Sequence, residues 1–279
     1  MHKPFVFFGT PYVARDTLMR LVEAGYVPEL VVTSPDAPKG RGLVHAPSET
    51  KAWALERGIR VYDPEKLTEE AQREILASGA EYAVVVAYGK ILPKALIDAF
   101  PLGVLNIHYS LLPKYRGASP VEAALLSGDS KTGVTIQRMV YELDAGDIVA
   151  KESLPIPESE TIRVLRPRLI ELGADLLIRT LPAFESGTVT ASPQDHTHAT
   201  RSGKIKKEEG ELTVPGNDRE NWLKYRAYLE SPGTYFFIER NGQRMRVKIA
   251  SARFENGRFV IERVVPEGKR EMAYEDFVR

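Results

Sequence analysis

Asn106 and His108 stand two residues apart at the end of the run Gly103-Val104-Leu105-Asn106-Ile107-His108. In a strand, the period of two puts the amide and the imidazole on one face, about 6–7 Å apart at their Cα atoms. An amide N–H placed there can donate to an oxygen that gains negative charge, while an imidazole moves a proton. That division of labour suits acyl transfer. Asp144 lies in the turn Leu143-Asp144-Ala145-Gly146, after a second strand pattern at 134–140. Its carboxylate can orient the imidazole or hold a water, and is expected to favour the imidazolium and raise the histidine pKa. Each residue also admits a plainer role: a hydrogen-bonding histidine, a strand-ending asparagine, an Asp-Ala-Gly turn. Ser110 is not in a G-x-S-x-G elbow, which argues against a serine nucleophile.

The elements that must position these residues alternate between strand and helix. Phe5-Val6-Phe7-Phe8 is an apolar run ended by Gly9-Thr10-Pro11. A helical pattern follows through Leu18, Leu21 and Val22, closed by Gly25, and then comes the strand Leu30-Val31-Val32. Strands at 82–86 and 104–108 and helices at 48–57 and 68–78 continue the series. The pattern predicts an α/β fold, a Rossmann-like, mostly parallel sheet with helices on both faces. In such sheets ligands collect beyond the carboxyl ends of the strands, where Asn106 and His108 fall. The G-x-G-x-x-G pattern of dinucleotide binding is absent, since Ala14 and Arg15 occupy its later places.

Beyond Asp144 the sequence predicts a strand at 148–156 and a helix at 161–185, which Pro167 is expected to kink or restart. The polar, glycine-rich stretch 187–212 reads as a linker. Asn217 or Asp218 can cap a helix running to Leu229. Asn241-Gly242 and Asn256-Gly257 are hairpin signals flanked by alternating apolar residues. The expected division is a catalytic domain at 1–187, a linker at 188–212 and a small antiparallel β-barrel-like domain at 213–279.

Composition narrows the function classes. There is no cysteine, which excludes disulfides, thiolate metal sites and a catalytic thiol. Neither a signal peptide nor a membrane-spanning run is visible, so the cytoplasm is the expected location. Net charge is zero, yet residues 200–279 hold 17 lysines and arginines against 13 acids. That imbalance suits an anionic partner at the C-terminal end, although an ordinary solvated surface explains the same counts. Arg244, Arg246 and Lys248 alternate with Met245, Val247 and Ile249, so a strand there shows one basic and one apolar face.

Asn106-Ile107-His108-Tyr109-Ser110-Leu111-Leu112-Pro113-Lys114-Tyr115-Arg116-Gly117 resembles the signature of the folate-dependent formyltransferase family. Thr132-Gly133-Val134-Thr135, Leu143-Asp144-Ala145-Gly146-Asp147 and the loop Val85 through Pro93 are similar to further motifs of that family, as are Phe8-Gly9-Thr10-Pro11 and the loop from Pro35 to Gly42. The resemblance covers residues 4–212. It implies that Asn106, His108 and Asp144 are catalytic. It also implies that Ala87, Tyr88, Gly89, Lys90, Ile91 and Leu92, with Ser110, Leu111, Leu112 and Pro113, border 10-formyltetrahydrofolate, the formyl donor, with no metal. Within the family the two-domain layout resembles that of members acting on tRNA, and this resemblance implies initiator methionyl-tRNA as the acceptor, met by Arg41 and the C-terminal domain, where Arg244, Arg246 and Lys248 are expected to touch it. A monomer is expected. An amino-sugar nucleotide is the alternative acceptor, and a non-catalytic RNA-binding protein the alternative class. The turn after His108 is a fitting place for a cis Leu112–Pro113 bond.

Overall fold

The computed structural model describes residues 2–39, 44–240 and 242–279. The expectation for Arg41 therefore lies outside the described residues, as does Asn241 of the first hairpin signal.

A seven-stranded sheet forms the core of the first part of the chain. Its strands are β1 (Phe5–Gly9), β2 (Leu30–Val32), β3 (Val61–Tyr62), β4 (Tyr82–Val86), β5 (Gly103–His108), β6 (Lys131–Arg138) and β7 (Ile148–Pro155), in the spatial order β7-β6-β5-β4-β1-β2-β3. The pairs β1–β2, β1–β4, β2–β3 and β4–β5 are parallel, whereas β6 runs antiparallel to β5. Central strands β1 and β4 are buried along their whole length, which is why they read as continuous apolar runs rather than alternating ones.

Helices α1 (Tyr12–Glu23), α2 (Glu49–Glu56), α3 (Glu69–Leu76), α4 (Lys94–Ala99), α5 (Pro120–Leu126) and α6 (Ile162–Glu185) follow in the sequence. Ser48 and Thr68 cap α2 and α3 by accepting from the backbone N–H groups of Lys51 and Ala71. Ile75 of α3 with Leu96 and Ile97 of α4 pack against Val6, Phe8, Val32, Val85 and Val104 on one sheet face. Asn106 and His108 continue the row of Val104, so the polar pair lies at the open end of an apolar layer. Gly9 makes the turn into α1 possible, because a Cβ there would sit 2.4 Å from that of Ala14.

Two expectations are narrowed, and two short helices are added. Pro167, the sixth residue of α6, does not start a new helix, and a single intrahelical hydrogen bond is forfeited there. The strand expected at 134–140 ends at Arg138, after which Met139 donates its N–H to the Val104 carbonyl and the chain leaves the sheet. Helices α4 and α5 were not anticipated, being too short for an apolar period to register.

The chain forms two compact units. The first comprises the chain up to Arg116, Gly133–Ser153 and Arg168–Thr200. The second comprises Gly117–Thr132, Leu154–Pro167 and Arg201–Arg279. In the second, helix α7 (Asp218–Tyr228), capped by Asn217, covers a four-stranded antiparallel sheet of β8 (Tyr235–Arg240), β9 (Gln243–Glu255), β10 (Arg258–Pro266) and β11 (Met272–Ala273). Trp222, Tyr225, Phe236, Val247, Ile249 and Val264 fill its core. Asn256 and Gly257 both adopt positive φ, as the tight turn between β9 and β10 requires.

Candidate active site

The register of β5 against β6 builds the centre. Asn106 lies directly opposite Gln137, and His108 opposite Thr135. Directly opposed residues share a face, so all four side chains belong to one side of the sheet.

His108 is 5 % exposed. Its Nε2 lies 2.9 Å from the carbonyl oxygen of Tyr115. A carbonyl only accepts, so Nε2 carries the hydrogen and donates it. Nδ1 faces Asp144 Oδ2 at 3.6 Å, an ion-pair separation longer than a direct hydrogen bond. Burial pushes the imidazole pKa below its ordinary 6.5, against the opposing pull of the Asp144 charge and the Tyr115 carbonyl. The expected rise is therefore corrected: desolvation of the cation outweighs the carboxylate. The ring rests neutral, with an unprotonated Nδ1 and a carboxylate oxygen converging on one point. That arrangement can receive a proton.

Asp144 is held on its other side. Gln137 Nε2 donates to Asp144 Oδ1 at 2.8 Å, while the buried Gln137 Oε1 has no hydrogen-bond partner. An unpaired buried acceptor costs about 1–3 kcal/mol, so this carbonyl is poised for an N–H donor. Gln137 is not legible in the sequence. Only the antiparallel pairing of β5 with β6 places it opposite Asn106, and nothing in the local pattern announces that register.

Two turns carry unusual backbone. Asp144 (φ +49°) and Tyr115 (φ +60°) are both left-handed, a conformation costly for residues with a side chain. Gly146 lets the Asp144 turn fold back onto β6, since a Cβ there would lie 1.7 Å from the Arg138 carbonyl oxygen. After His108, Thr135 Oγ1 donates to Ser110 O at 2.7 Å and accepts from Leu112 N at 3.1 Å. Ser110 Oγ donates to Lys114 O at 2.5 Å, which occupies it structurally. The Leu112–Pro113 bond is cis, as expected.

A cavity of about 370 Å³ opens beside the centre, walled by Lys90, Ile91, Leu92, Ile97, Gln137 and residues 139–144. It joins Lys90, Ile91 and Leu92 to Asp144. Ala87, Tyr88 and Gly89 and the turn from Ser110 to Pro113 do not form its wall, and Ser110 and Leu112 are fully buried. Ile91 is 80 % and Leu143 66 % exposed at its mouth, an apolar rim suited to a flat aromatic ligand. Lys90 Nζ donates to the carbonyls of Pro64 and Glu65, and burial lowers its pKa.

In the second unit, Arg244, Arg246 and Lys248 are exposed on β9 while Val247 and Ile249 are buried. The Arg244 guanidinium lies 3.8 Å from the ring centre of Phe237, and that of Arg246 lies 3.7 Å from that of Tyr235. These stacks hold two cations in fixed positions. Among the described residues, no group of three or more His, Asp or Glu side chains is arranged to hold a metal ion, and no helix is long and apolar enough to cross a membrane.

Residues 3–181 match the family model described as formyl transferase. A methionyl-tRNA formyltransferase of Koribacter versatilis is 37% identical, with 98% of this chain and 94% of the relative aligned. One of Bacillus licheniformis is 39% identical over the same shares. Among solved structures, an N-formyltransferase from Helicobacter canadensis, in complex with folinic acid and dTDP-3-aminofucose, superposes with a TM-score of 0.66 at 19% identity, over 91% of this chain and 89% of its own. A 4-N formyltransferase from Francisella tularensis gives 0.67 at 17%, over 88% and 96%. At those identities the likeness is one of fold.

Proposed function

Since the chain belongs to the formyl transferase family, we propose that it moves the formyl group of 10-formyltetrahydrofolate onto the α-amino group of initiator methionyl-tRNA, for translation initiation. The observation that carries this reading is the extent of the likeness to methionyl-tRNA formyltransferases, which takes in the C-terminal sheet as well as the cavity and the Asn106–His108–Asp144 cluster.

The cavity fits the pteridine end of the donor. Its wall is largely apolar, and the unpaired Gln137 Oε1 offers one acceptor to a ring N–H. The donor supplies the activated acyl group; the side chains supply proton transfer and charge stabilisation. His108 Nδ1 takes a proton from the attacking amine, whose ordinary pKa of about 7.7–8.0 leaves an appreciable neutral fraction at neutral pH. Asp144 stabilises the imidazolium so formed. Asn106 donates an N–H to the formyl oxygen as it gains charge. The new bond joins the amine nitrogen to the formyl carbon, the old bond from that carbon to the folate nitrogen breaks, and His108 returns the proton to that nitrogen.

In this reading residues 1–187 form the catalytic domain, 188–212 a linker and 213–279 the tRNA-binding domain. Arg244, Arg246 and Lys248 meet the phosphate backbone, and Arg41 approaches the acceptor end. The protein works in the cytoplasm as a monomer. The test supplies formyl-labelled 10-formyltetrahydrofolate with either initiator methionyl-tRNA or a dTDP-amino sugar. Label in the methionyl-tRNA is the expected result. Label only in the amino sugar, or in neither acceptor, overturns it.

A further inference from the structure

The segment that follows α6 joins both turns of the site. Ser192 exchanges two backbone hydrogen bonds with Ile148, at 2.8 and 2.9 Å, just beyond the Asp144 turn. Further along, Thr200 O accepts from Arg116 N at 2.8 Å, and Thr200 Oγ1 accepts from Tyr115 N at 2.8 Å. Tyr115 is the residue whose carbonyl accepts the hydrogen bond from His108 Nε2. One stretch of chain thus reaches from the turn that carries Asp144 to the turn that holds His108.

Gln194 lies between those anchors and is 5 % exposed. Its Nε2 donates to Asp144 O at 2.9 Å and to Gly146 O at 2.7 Å. Its Oε1 accepts from Arg116 Nε at 3.2 Å and Nη2 at 2.7 Å. Carbonyls only accept and a guanidinium only donates, so the orientation of the amide is fixed by its partners. Both donors and both acceptor positions are used. Arg116 is itself buried, and its Nη2 also reaches His196 Nδ1 at 3.2 Å.

We propose that Gln194 is a positioning residue for formyl transfer: it clamps the left-handed Asp144 turn from behind and so keeps the carboxylate beside His108. The clamp stands on geometry alone, while its effect on rate rests on the proposed function. Asp144 departs from ordinary backbone at φ +49°, and such a conformation persists only where its surroundings over-determine it. Two hydrogen bonds, to the carbonyl of that residue and to that of Gly146 two residues on, supply the determination. Displacement of a reacting group by about 1 Å can cost on the order of a hundredfold in rate.

Gln194→Glu separates the two halves of the contact. The carboxylate keeps an acceptor for Arg116 and nearly the same volume, which preserves the buried guanidinium's partner. It loses both N–H donors and turns an oxygen toward two carbonyl oxygens, which releases the turn. Two measurements are made on the full-length protein. Amide hydrogen exchange, followed by mass spectrometry, should accelerate in residues 139–147 while β1 and β4 stay protected. In the formylation assay kcat should fall at least about thirtyfold, with KM for both substrates within about twofold. Unchanged exchange in 139–147 overturns the clamp. Accelerated exchange with an unaltered kcat, or a loss carried by KM alone, overturns the positioning role. If the unsubstituted protein formylates no methionyl-tRNA, the functional reading fails, and exchange still decides the clamp.

Discussion

A buried imidazole whose pKa is pushed down is better suited to receive a proton at neutral pH than to arrive already charged. Burial favours the neutral ring of His108, and its Nε2–H is committed to Tyr115, which leaves Nδ1 as the working atom. In the proposed mechanism the active form is the unprotonated one, so activity is lost as pH falls through the lowered pKa. The acid-side inflection in kcat should accordingly lie below pH 6.5. Single-turnover rates between pH 5 and 8 measure it, and an inflection above 6.5 would mean that Asp144 dominates after all. The same depression bears on stability. The unfolded chain binds the proton more readily between the folded pKa and 6.5, so this contribution is full above 6.5 and declines as pH falls. Gln137 supports a second prediction in which activity and stability part company. Gln137→Met keeps the volume but removes the donor to Asp144 and the unpaired Oε1. Its kcat should fall about tenfold or more, while the melting temperature holds or rises, because a buried polar group without a partner is gone. A lowered melting temperature with normal kcat would make Gln137 a structural residue only.

At the scale of elements, the site is made by two turns that fold back onto the strands they leave. Gly146 is the tightest point of one. Gly146→Ala drives a methyl into the Arg138 carbonyl, and overpacking of this kind typically costs about 1–3 kcal/mol. The displaced turn carries Asp144, so kcat should fall by more than the melting temperature alone would suggest. Thermal unfolding and steady-state kinetics on the same preparation test this, and full activity would show that the turn relaxes elsewhere. The parts of the site legible in the sequence were those with a short-range signature. Asn106 and His108 announce themselves by spacing on a strand, as Asn217 does as a cap by residue type. Gln137 and Gln194 do not. One depends on the register of an antiparallel partner, and the other lies in a stretch whose composition reads as a linker. Both act through contacts across the fold, to which local periodicity is blind. The histidine pKa departs from expectation for a related reason: a nearby charge can be read from sequence, but the depth of burial that outweighs it cannot.

At the scale of the whole molecule, the chain combines a cavity beside Asp144 with an exposed basic strand in its second unit. Arg244 and Arg246 are braced on Phe237 and Tyr235, so less side-chain freedom would be lost on binding a phosphate backbone, as the proposed function requires. Replacing Arg244, Arg246 and Lys248 together by glutamate should weaken tRNA binding and flatten its dependence on salt, since fewer counterions are released. Folate affinity should be unaffected. Unchanged tRNA affinity and salt slope would return β9 to an ordinary solvated face. The central claim, that the cluster around His108 transfers the formyl group, meets its most direct test in one rate. With both substrates saturating, the single-turnover formylation of methionyl-tRNA is compared between the unsubstituted protein and His108→Ala. The account predicts a loss of at least about a hundredfold with folate binding retained. A rate within a few-fold of the unsubstituted protein would contradict it.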